Sequence, residues 1–498
     1  MTIGETFTKF GKFVIAPGKE LWGELHVAGK NSLLYVRDDE RFDPHVSSDA
    51  CITGVLHDLT KVTLLKCINL TGLGYDSKNN ETYYYAKIFP HFVLEGQRLL
   101  GEDERTICKI TFKLEDGTNL FYDFDAFGSV IDANPHIGPI ATANGIDRPI
   151  PIGPEPQIVY FAGKREIISV DTNLGTVQVE HNPSWCLPDP RGVRIDNFIS
   201  TSIDMPEAVR FNEAIRRILR VLRFFELIIG RPQNLPTVFL QIGDSNKSER
   251  LKVHWSHRPE REGESGERGR SPQPADMLLM PIEDPEEFCR VMQFWLTNDE
   301  ERQDARGRFH TSFAMQRTYT VERLVASANM FDILPKSAAP QDIVIPAELS
   351  QAKTECQKVF KRLPESYERN SVLGALGRIG KASLKHKTRH RGQIIMDAFG
   401  GRPADLPFVL DAAVDCRNHY VHGTPSRIDY SKDSDVMVFL TNTLEFVFGA
   451  SELVEAGWNI QRFASRGSTF THPFGSYLVS YKSNLKSLKT LLKHEQLE

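Results

Sequence analysis

One stretch near the end of the chain combines side chains that could bind a phosphate and transfer a proton. Within six residues it contains Arg417, Asn418, His419 and His422. Arginine presents a permanently charged, planar set of donors that matches phosphate oxygens. Histidine exchanges protons near neutral pH because its unperturbed pKa lies there. The combination predicts a site that holds a phosphate and moves a proton.

A helix is expected to carry this stretch. The apolar run 406–414 leads into it, and Gly423, a residue type that commonly follows a helix end, comes directly after it. On an ideal helix Arg417 and His422 would point about 140° apart, because each residue turns the helix by about 100°. They converge only if His422 lies in the fraying last turn or if two copies meet in a dimer. The alternative is that Arg417 extends its charged end to solvent and the histidines satisfy buried polar groups.

Two other arginine–histidine pairs have similar spacing, Arg250 with His257 and Arg466 with His472. We interpret both as coincidences. The first lies at the edge of a low-complexity loop, 257–274, that is expected to be disordered, and the second lies in a loop rich in Gly, Ser and Thr. No set of metal ligands occurs at a recognisable interval, so no metal site is predicted.

Composition is that of an ordinary soluble globular protein. The 498 residues are 40% hydrophobic and 25% charged with a net charge of −5, so any nucleic-acid-binding surface must be local. Seven cysteines, odd in number and without a Cys-x-x-Cys pair, favour free thiols in a reducing compartment. No leader-like start or membrane-length apolar stretch is evident, which predicts a cytoplasmic protein without a membrane partner.

The chain is expected to contain two regions. Residues 1–300 consist mainly of short strand-like runs separated by Gly, Asn and Asp, a pattern typical of a β-sandwich or barrel. Residues 305–498 are helical by period. The predicted fold class is therefore α+β multidomain, with a β-rich, sandwich- or barrel-like N-terminal region followed by an all-α helical bundle.

Three local expectations can be tested against the structure. Residues 115–117 predict a hairpin turn between two strands. A helix is expected over 206–229, capped by Ser202 or Asp204. One continuous helix is expected over 309–333, within the helical C-terminal region.

The motif resembles that of a known family. Arg417-Asn418 followed by His422, late in a helical region, resembles the Arg-x4-6-His signature of the HEPN ribonuclease superfamily. A β-rich half placed before such a domain resembles the ApeA family of anti-phage defence proteins. The expected helix that starts near Phe309, with Glu322 at its centre, resembles the opening helix of the ApeA HEPN domain. The helical match covers roughly 305–460.

This resemblance implies an endoribonuclease that needs no metal or other cofactor and cuts RNA by attack of the ribose 2′-hydroxyl. His422 would be the general acid/base, Arg417 would hold the scissile phosphate, and Asn418 would position the histidine or a phosphate oxygen. His419 and Glu322 are possible supporting residues. The resemblance also implies a homodimer through the helical domain, and an N-terminal region that senses a phage-derived trigger or restrains the helical domain.

A basic stretch, residues 376–395, precedes the motif helix and contains no acidic residue. We interpret it as an RNA-binding surface, because an RNA-cutting site needs local positive charge. A solvated loop is the alternative. The residues assigned to RNA binding are Arg378, Lys381, Lys385, Lys387, Arg389 and Arg391.

Two other interpretations of the chain stay open. In one, the HEPN domain is inactive and the protein only binds RNA or dimerises. In the other, the β-rich half recognises a carbohydrate or a protein, and the helices serve as an oligomerisation domain.

Overall fold

The computed structural model describes residues 6–16, 18–43, 51–78, 81–146, 148–190, 192–243, 249–256, 272–341, 345–426, 428–430, 432–467 and 470–494. The chain divides into two compact units, residues 1–297 and 298–498. The first is built mainly from antiparallel strands and the second from helices, which confirms the predicted fold class. Most of the loop expected over 257–274 lies outside the described residues.

Six strands of the first unit close into an antiparallel barrel. The strands of this unit are β1 Phe7–Ala16, β2 Lys19–Val27, β3 Leu33–Asp38, β4 Ile52–Leu56, β5 Lys61–Asn69, β6 Gly74–Lys78, β7 Glu81–Gly96, β8 Ile107–Phe112, β9 Phe127–Ile131, β10 Gln157–Phe161, β11 Glu166–Thr172, β12 Gly175–Asp189, β13 Gly192–Val209, β14 Val238–Ile242 and β15 Glu249–Trp255. Strands β7, β3, β2, β1, β4 and β5 pair in that order, and β5 pairs back to β7. This ring satisfies the backbone of strands that would otherwise lie at sheet edges.

The barrel is filled by side chains that alternate along its strands. In β2, for example, Leu21, Leu25 and Val27 are buried, while the residues between them are more exposed. Gly54 on β4 makes room for the buried ring of Phe13, because a Cβ at that position would lie only 2.5 Å from the ring. The barrel-like form expected for the N-terminal region is therefore a closed barrel with a sheet attached to it.

That sheet extends from the C-terminal part of β7 through β15, β14, β8, β13 and β12 to β11. The helices of this unit are α1 Gly117–Leu120, α2 Asn134–Ala143, α3 Phe211–Ile229 and α4 Pro285–Thr297. Helix α3 packs on β8, and α4 packs on α3 and β11. Edge-to-face contacts among Phe121, Phe224, Phe225 and Phe288 form the core there.

Helix α3 begins five residues later than expected, at Phe211. Ser202 and Asp204, the expected caps, lie inside β13 and pair with β8. The prediction was wrong because the strand ladder continues to Val209 and leaves no room for an earlier helix start. The end of α3 is as expected, since Gly230 follows Ile229 in the left-handed region with φ of 91°.

Residues 115–117 do not form the hairpin turn that was expected between two strands. Asp116 is buried, and its two carboxylate oxygens accept from Arg231 Nε and Nη2 at 2.7 Å each. Gln233 also donates to Asp116, at 2.8 Å. These charge-assisted hydrogen bonds fix Asp116 in the interior of the unit. The chain continues from it into the helical turn α1 and not into a second strand.

The second unit is a helical bundle around one long apolar helix. Its helices are α5 Asp299–Phe313, α6 Val321–Asp332, α7 Ala347–Arg362, α8 Tyr367–Arg378, α9 Leu384–Ala398, α10 Leu406–His422, α11 Ser434–Glu455, α12 Ile460–Ser465 and α13 Pro473–His494. Helix α11 packs against α5, α6, α9, α10 and α13. It is long and apolar enough to cross a membrane by length and composition, but most of its apolar window is buried, as in the core helix of a soluble protein.

The helix expected over 309–333 is two helices. Helix α5 ends first, the chain turns through Gln316 with φ of 50°, and Thr320 caps α6 by accepting from the Arg323 N–H. The break leaves the carbonyl oxygens of Gln316 and Thr318 free to accept from the buried Arg323 side chain. Arg323 also donates to the carboxylate of Glu445. A continuous helix would use those carbonyl groups itself.

A buried ionic cluster joins α5, α9 and α11. The Glu452 carboxylate accepts from Arg302, Arg306 and Arg391 at 2.7–2.9 Å. Burial alone would raise the pKa of Glu452, but the nearby guanidinium groups of Arg306, Arg391 and Arg302 together hold that pKa below its ordinary value. The cluster therefore holds together α9 and α11, two helices on which the motif helix α10 packs.

Candidate active site

Arg417 and His422 meet at the C-terminal end of α10. Arg417 Nη1 donates to His422 Nε2 at 2.9 Å. His422 is the last residue of the helix and is exposed, and Gly423 follows in the left-handed region with φ of 64°. The two groups come together within one chain because the long arginine side chain spans the last turn. Convergence therefore does not require a second copy of the chain.

The partners of the Arg417 guanidinium are neutral. Nη1 also donates to Asn418 Oδ1 at 3.1 Å, and Nη2 donates to Asn329 Oδ1 at 3.0 Å. The buried Nε has no hydrogen-bond partner among the described residues. Amide oxygens and an imidazole hold the guanidinium in place without cancelling its charge, so the site keeps a positive charge that an anion could use.

The contact with Arg417 also defines the state of His422. A guanidinium can only donate, so His422 Nε2 must accept. The imidazole in this arrangement is therefore neutral, with its proton on Nδ1. A neutral imidazole with a lone pair on Nε2 is the form that can act as a base.

His419 and Thr424 shape the end of the helix. His419 Nδ1 lies 2.9 Å from the Thr424 carbonyl oxygen and donates to it, and Thr424 Oγ1 donates to the Asn418 carbonyl oxygen at 3.1 Å. The His419 ring also packs beside Tyr430, with ring centroids 5.8 Å apart. These contacts make His419 a residue that orders the helix end, next to the Arg417–His422 pair.

Glu322 does not reach the pair, and Asn329 does. Glu322 is exposed in the first turn of α6, where hydrogen bonds from its own backbone N–H and from the Thr320 side chain lower the pKa of its carboxyl. Asn329 lies two turns further along the same helix and contacts Arg417 directly. Asn329, and not Glu322, is therefore the α6 residue beside Arg417, because the break before Thr320 places Glu322 at the helix start.

Three basic side chains of the stretch form ion pairs with aspartates on neighbouring helices. Lys385 pairs with Asp415 of α10 at 2.6 Å, Arg389 pairs with Asp411 of α10, and Lys387 pairs with Asp332 at the end of α6. These ion pairs clamp α9 to the helices that carry the candidate site.

Arg391 is fully buried and bound to Ser451, Glu452 and Glu455. The prediction that Arg391 contacts RNA is therefore wrong, because its side chain lies in the core of the unit. Arg378 and Lys381 are exposed, and their side chains have no ion-pair partner among the described residues. They are the two members of the stretch whose charge is not offset by an aspartate or glutamate in the described ranges.

Other reactive side chains near the motif are poor candidates. Cys416 is fully buried, and burial raises the pKa of its thiol to about 12, so it is not a nucleophile near neutral pH. His472 of the second arginine–histidine pair is fully buried against Phe313, Phe463 and Phe474. His257 of the other pair lies outside the described residues. Within the described ranges, no group of three potential metal ligands comes together.

In comparisons with known proteins, each of the two units matches a different family model. A family model for ApeA N-terminal domain 1 matches residues 10–295, which is more than half of the chain, and a model for the Apea-like HEPN domain matches residues 325–461. The second range contains Asn329, Arg417 and His422. No curated protein and no solved structure matches the chain. The chain therefore belongs to the ApeA family, with an ApeA N-terminal domain followed by an Apea-like HEPN domain.

Proposed function

We propose that this protein is a cytoplasmic, metal-independent endoribonuclease of anti-phage defence. The observation that supports this most strongly is the Arg417–His422 contact of 2.9 Å at the exposed end of α10. It brings together an imidazole in its basic form and a guanidinium that has no acidic partner in the described part of the chain. Membership of a HEPN family associated with nucleases and defence supports the same function.

The proposed reaction is an internal transfer at one phosphodiester. The ribose 2′-hydroxyl gives its proton to a base and its oxygen attacks the adjacent phosphorus. The bond to the 5′-oxygen breaks, and that oxygen takes up a proton. The products are a 2′,3′-cyclic phosphate and a free 5′-hydroxyl, so atoms and charge balance without a metal ion.

His422 is the proposed base and Arg417 the proposed phosphate ligand. A phosphate oxygen is charged and is a stronger acceptor than an imidazole nitrogen. An incoming phosphate would therefore take over the Nη1 donor of Arg417 and release His422 Nε2 for the proton of the 2′-hydroxyl. Arg417 would then stabilise the charge that develops on the phosphate. Asn418 and Asn329 act as positioning residues, and His419 orders the helix end.

A homodimer would complete this reaction. The leaving 5′-oxygen needs a proton donor in addition to the base, and His422 of a second copy, placed in a shared cleft, would supply it. We propose that the helical unit forms this dimer and that RNA enters along Arg378 and Lys381. The N-terminal unit is the proposed sensor of a phage-derived trigger.

The proposal is tested with purified protein and total cellular RNA in EDTA. Wild type should cut the RNA, and His422→Ala and Arg417→Ala should lose at least a hundredfold in rate. His136→Ala is the matched control, because His136 is an exposed histidine on α2 of the first unit. Equal cutting by wild type and His422→Ala would overturn the proposal, as would cutting that appears only after magnesium is added.

A non-catalytic RNA-binding or dimerisation protein is the second candidate. Two observations favour it: His422 Nε2 is already occupied by Arg417, and Lys385, Lys387 and Arg389 are paired with aspartates. In that case the protein would bind RNA and leave it intact, and Arg417→Ala would weaken binding. Cutting that disappears in His422→Ala rules this candidate out.

A further inference from the structure

The outer face of the barrel presents side chains that the proposed ribonuclease reaction does not use. Two large aromatic residues are open to solvent there, Phe10 on β1 and Trp22 on β2, which are 60% and 62% exposed. Phe13 and Leu21 on the same strands are buried in the barrel core. Because side chains alternate between the two sides of a strand, Phe10 and Trp22 point outward. Exposed large apolar side chains that lie together mark a binding surface.

Strand pairing arranges aromatic and charged side chains in two rows on this face. The rows cross β1, β2, β3 and β7 in that order. The first row consists of Lys12, Trp22, Arg37 and Tyr85. The second row, two residues away on each strand, consists of Phe10, Glu24, Tyr35 and Lys87. These eight residues are the aromatic-basic face. In the first row every aromatic ring follows a cation, because paired residues on neighbouring strands lie side by side.

The three cations of this face are available to an anion. Lys12, Arg37 and Lys87 are exposed, and none has an ion-pair partner within the described ranges. The Lys12 ammonium lies over the Trp22 ring, 5.2 Å from its centroid. Glu24 is the one acid among the eight residues. The face therefore has a net positive charge, although the chain as a whole has a net charge of −5.

The aromatic rings of this face are already arranged for stacking. Tyr35 and Tyr85 stack on each other, with ring centroids 5.7 Å apart and 29° between the ring planes. Trp22 and Phe10 lie on the two strands beside them and expose most of their ring surface. A flat aromatic ligand could take the place of the Lys12 ammonium on Trp22, because the lysine side chain is long and flexible. The freed ammonium could then contact an anionic group of the same ligand.

The alternation of rings and cations distinguishes between possible partners. Protein interfaces concentrate apolar residues at their centre and place charges at the rim, whereas Lys12 and Arg37 flank Trp22 on both sides. A nucleic-acid duplex keeps its bases stacked on one another, so exposed rings would find no free base face. A single strand offers both free base faces and a charged phosphate between successive bases.

We propose that the aromatic-basic face of the barrel binds single-stranded RNA. Bases would stack on Trp22 and Phe10. The phosphates between them would contact Lys12, Arg37 and Lys87. The choice of RNA over DNA rests on the proposed function, in which RNA is the substrate, whereas the stacking and charge contacts do not depend on it. The face belongs to residues 1–297 and contains neither Arg417 nor His422.

Tryptophan fluorescence tests contact at this face directly. Titration of full-length His422→Ala protein in EDTA with an oligouridylate of about 12 nucleotides should quench part of the emission, because a base stacks on Trp22. Trp22→Phe in the same background should abolish that quenching and keep the affinity within about threefold, because phenylalanine also stacks. Trp185→Phe is the matched control, since Trp185 is a 54% exposed tryptophan on β12 outside the face. It should leave the quenching in place.

Fluorescence anisotropy with the labelled oligouridylate measures the affinity. Trp22→Ala should weaken binding at least about fivefold, because stacking on one aromatic side chain is lost. Lys12→Ala/Arg37→Ala should also weaken binding at least about fivefold at low salt. Lys164→Ala/Arg165→Ala is the control for charge, since both residues are exposed and have no ion-pair partner in the described part of the first unit. All these side chains are exposed, so each variant should melt like wild type.

Several results would overturn the proposal. They are quenching that survives Trp22→Phe, wild-type affinity in both Trp22→Ala and Lys12→Ala/Arg37→Ala, and tighter binding of an RNA duplex or of the oligodeoxyuridylate. No saturable binding up to about 1 mM would overturn it in favour of a protein partner. A chain that binds through Trp22 but cuts no RNA would refute the proposed ribonuclease and support this site. A chain that cuts RNA but shows no quenching from Trp22 would refute this site alone.

Discussion

Arg417, which is half-buried, differs from the buried arginines of the helical unit in the charge of its partners. Arg306, Arg323 and Arg391 each face a glutamate, whereas the described partners of Arg417 are two amide oxygens and an imidazole. Neutral partners fix the guanidinium and leave its charge for an anion. At the scale of residues, the proposed chemistry therefore depends on Asn329 as well as on the motif.

Replacing Asn329 by aspartate should impair RNA cutting more than replacing it by alanine. A carboxylate at this position would form an ion pair with Arg417 and neutralise it, whereas alanine removes one acceptor and leaves the charge. We expect the single-turnover cleavage rate of Asn329→Asp to be about tenfold below that of Asn329→Ala, or lower. Equal rates for two variants that melt like wild type would contradict the role assigned to the neutral partners.

The Arg417–His422 motif could be predicted from the sequence, but the residue outside the motif that holds Arg417 in place could not. Arg417 and His422 stand out by residue type, by spacing and by their place at the end of an apolar helix. Asn329 lies 88 residues upstream, and a single asparagine in a helical pattern carries no local signal. Arg391 was misassigned for a related reason, since a run of basic residues does not reveal which side chain turns into the core.

At the scale of elements, α9 holds the motif helix in position. Lys385 and Arg389 pair with aspartates on α10, and Lys387 pairs with Asp332 at the end of α6. A carboxylate beside each of these three cations offsets its attraction for a polyanion. Any RNA contact made by the basic stretch should therefore come from its start, at Arg378 and Lys381.

Removing these two charges should reduce the salt dependence of RNA binding. The double variant Arg378→Ala/Lys381→Ala should lower the slope of log affinity against log salt by about 1.4, because each phosphate contact on single-stranded RNA contributes about 0.7. Fluorescence anisotropy in a His422→Ala background measures this without cutting. Arg216→Ala is the control, since Arg216 pairs with Glu213 on α3. An unchanged slope in the double variant would exclude both side chains from the RNA surface.

Glu452 should be a strong determinant of the stability of the helical unit. Glu452→Gln would leave three buried arginines around a neutral amide, and we expect a loss of about 3–5 kcal/mol in the free energy of unfolding. Circular dichroism at the helical signal, followed against temperature at pH 7, measures this loss. A variant that melts within a degree of wild type would contradict the stabilising role of the cluster.

The same residue should make the unit sensitive to acid. The pKa of Glu452 is depressed below its ordinary value of 4.5, so its contribution is complete above that pH and is lost as the pH falls toward the folded pKa. Wild type should therefore lose melting temperature below pH 4.5 more steeply than Glu452→Gln does. Parallel pH profiles for the two proteins would show that another group is responsible.

Element types could be predicted better than element boundaries. Periodicity identified α10 from Leu406 to His422, because its apolar run ends at a glycine. It could not identify the break between α5 and α6, which exists because the Arg323 side chain takes backbone carbonyl groups from the chain between them. It also placed the start of α3 too early, because the continuation of β13 depends on pairing with β8.

At the scale of the whole molecule, the form of the first unit depends on the pairing of strands that lie far apart in the chain. Strand patterns indicated a sandwich or a barrel, and the choice between them depends on the pairing of β5 with β7, which no local pattern encodes. A cavity beside β9 and β10 could not be predicted from local patterns either, because four separate segments between Thr118 and Ile199 line it.

A homodimer is the assembly that the proposed chemistry requires. Light scattering should give a mass of twice 56.4 kDa. The rate of RNA cutting per chain should fall when the protein is diluted below the dissociation constant of the dimer. A monomer that cuts RNA at full rate at every concentration would show that one chain supplies both proton transfers.

The central claim is that Arg417 and His422 promote attack of a ribose 2′-hydroxyl on its own phosphate. The most direct test compares one RNA oligonucleotide that wild type cuts with the same oligonucleotide carrying a 2′-deoxyribose at the cut position, both in EDTA. The ribose form should give a 2′,3′-cyclic phosphate and a 5′-hydroxyl, and the deoxy form should stay intact at that position. Cutting of the deoxy form at the same rate, or products that end in a 3′-hydroxyl, would contradict the mechanism.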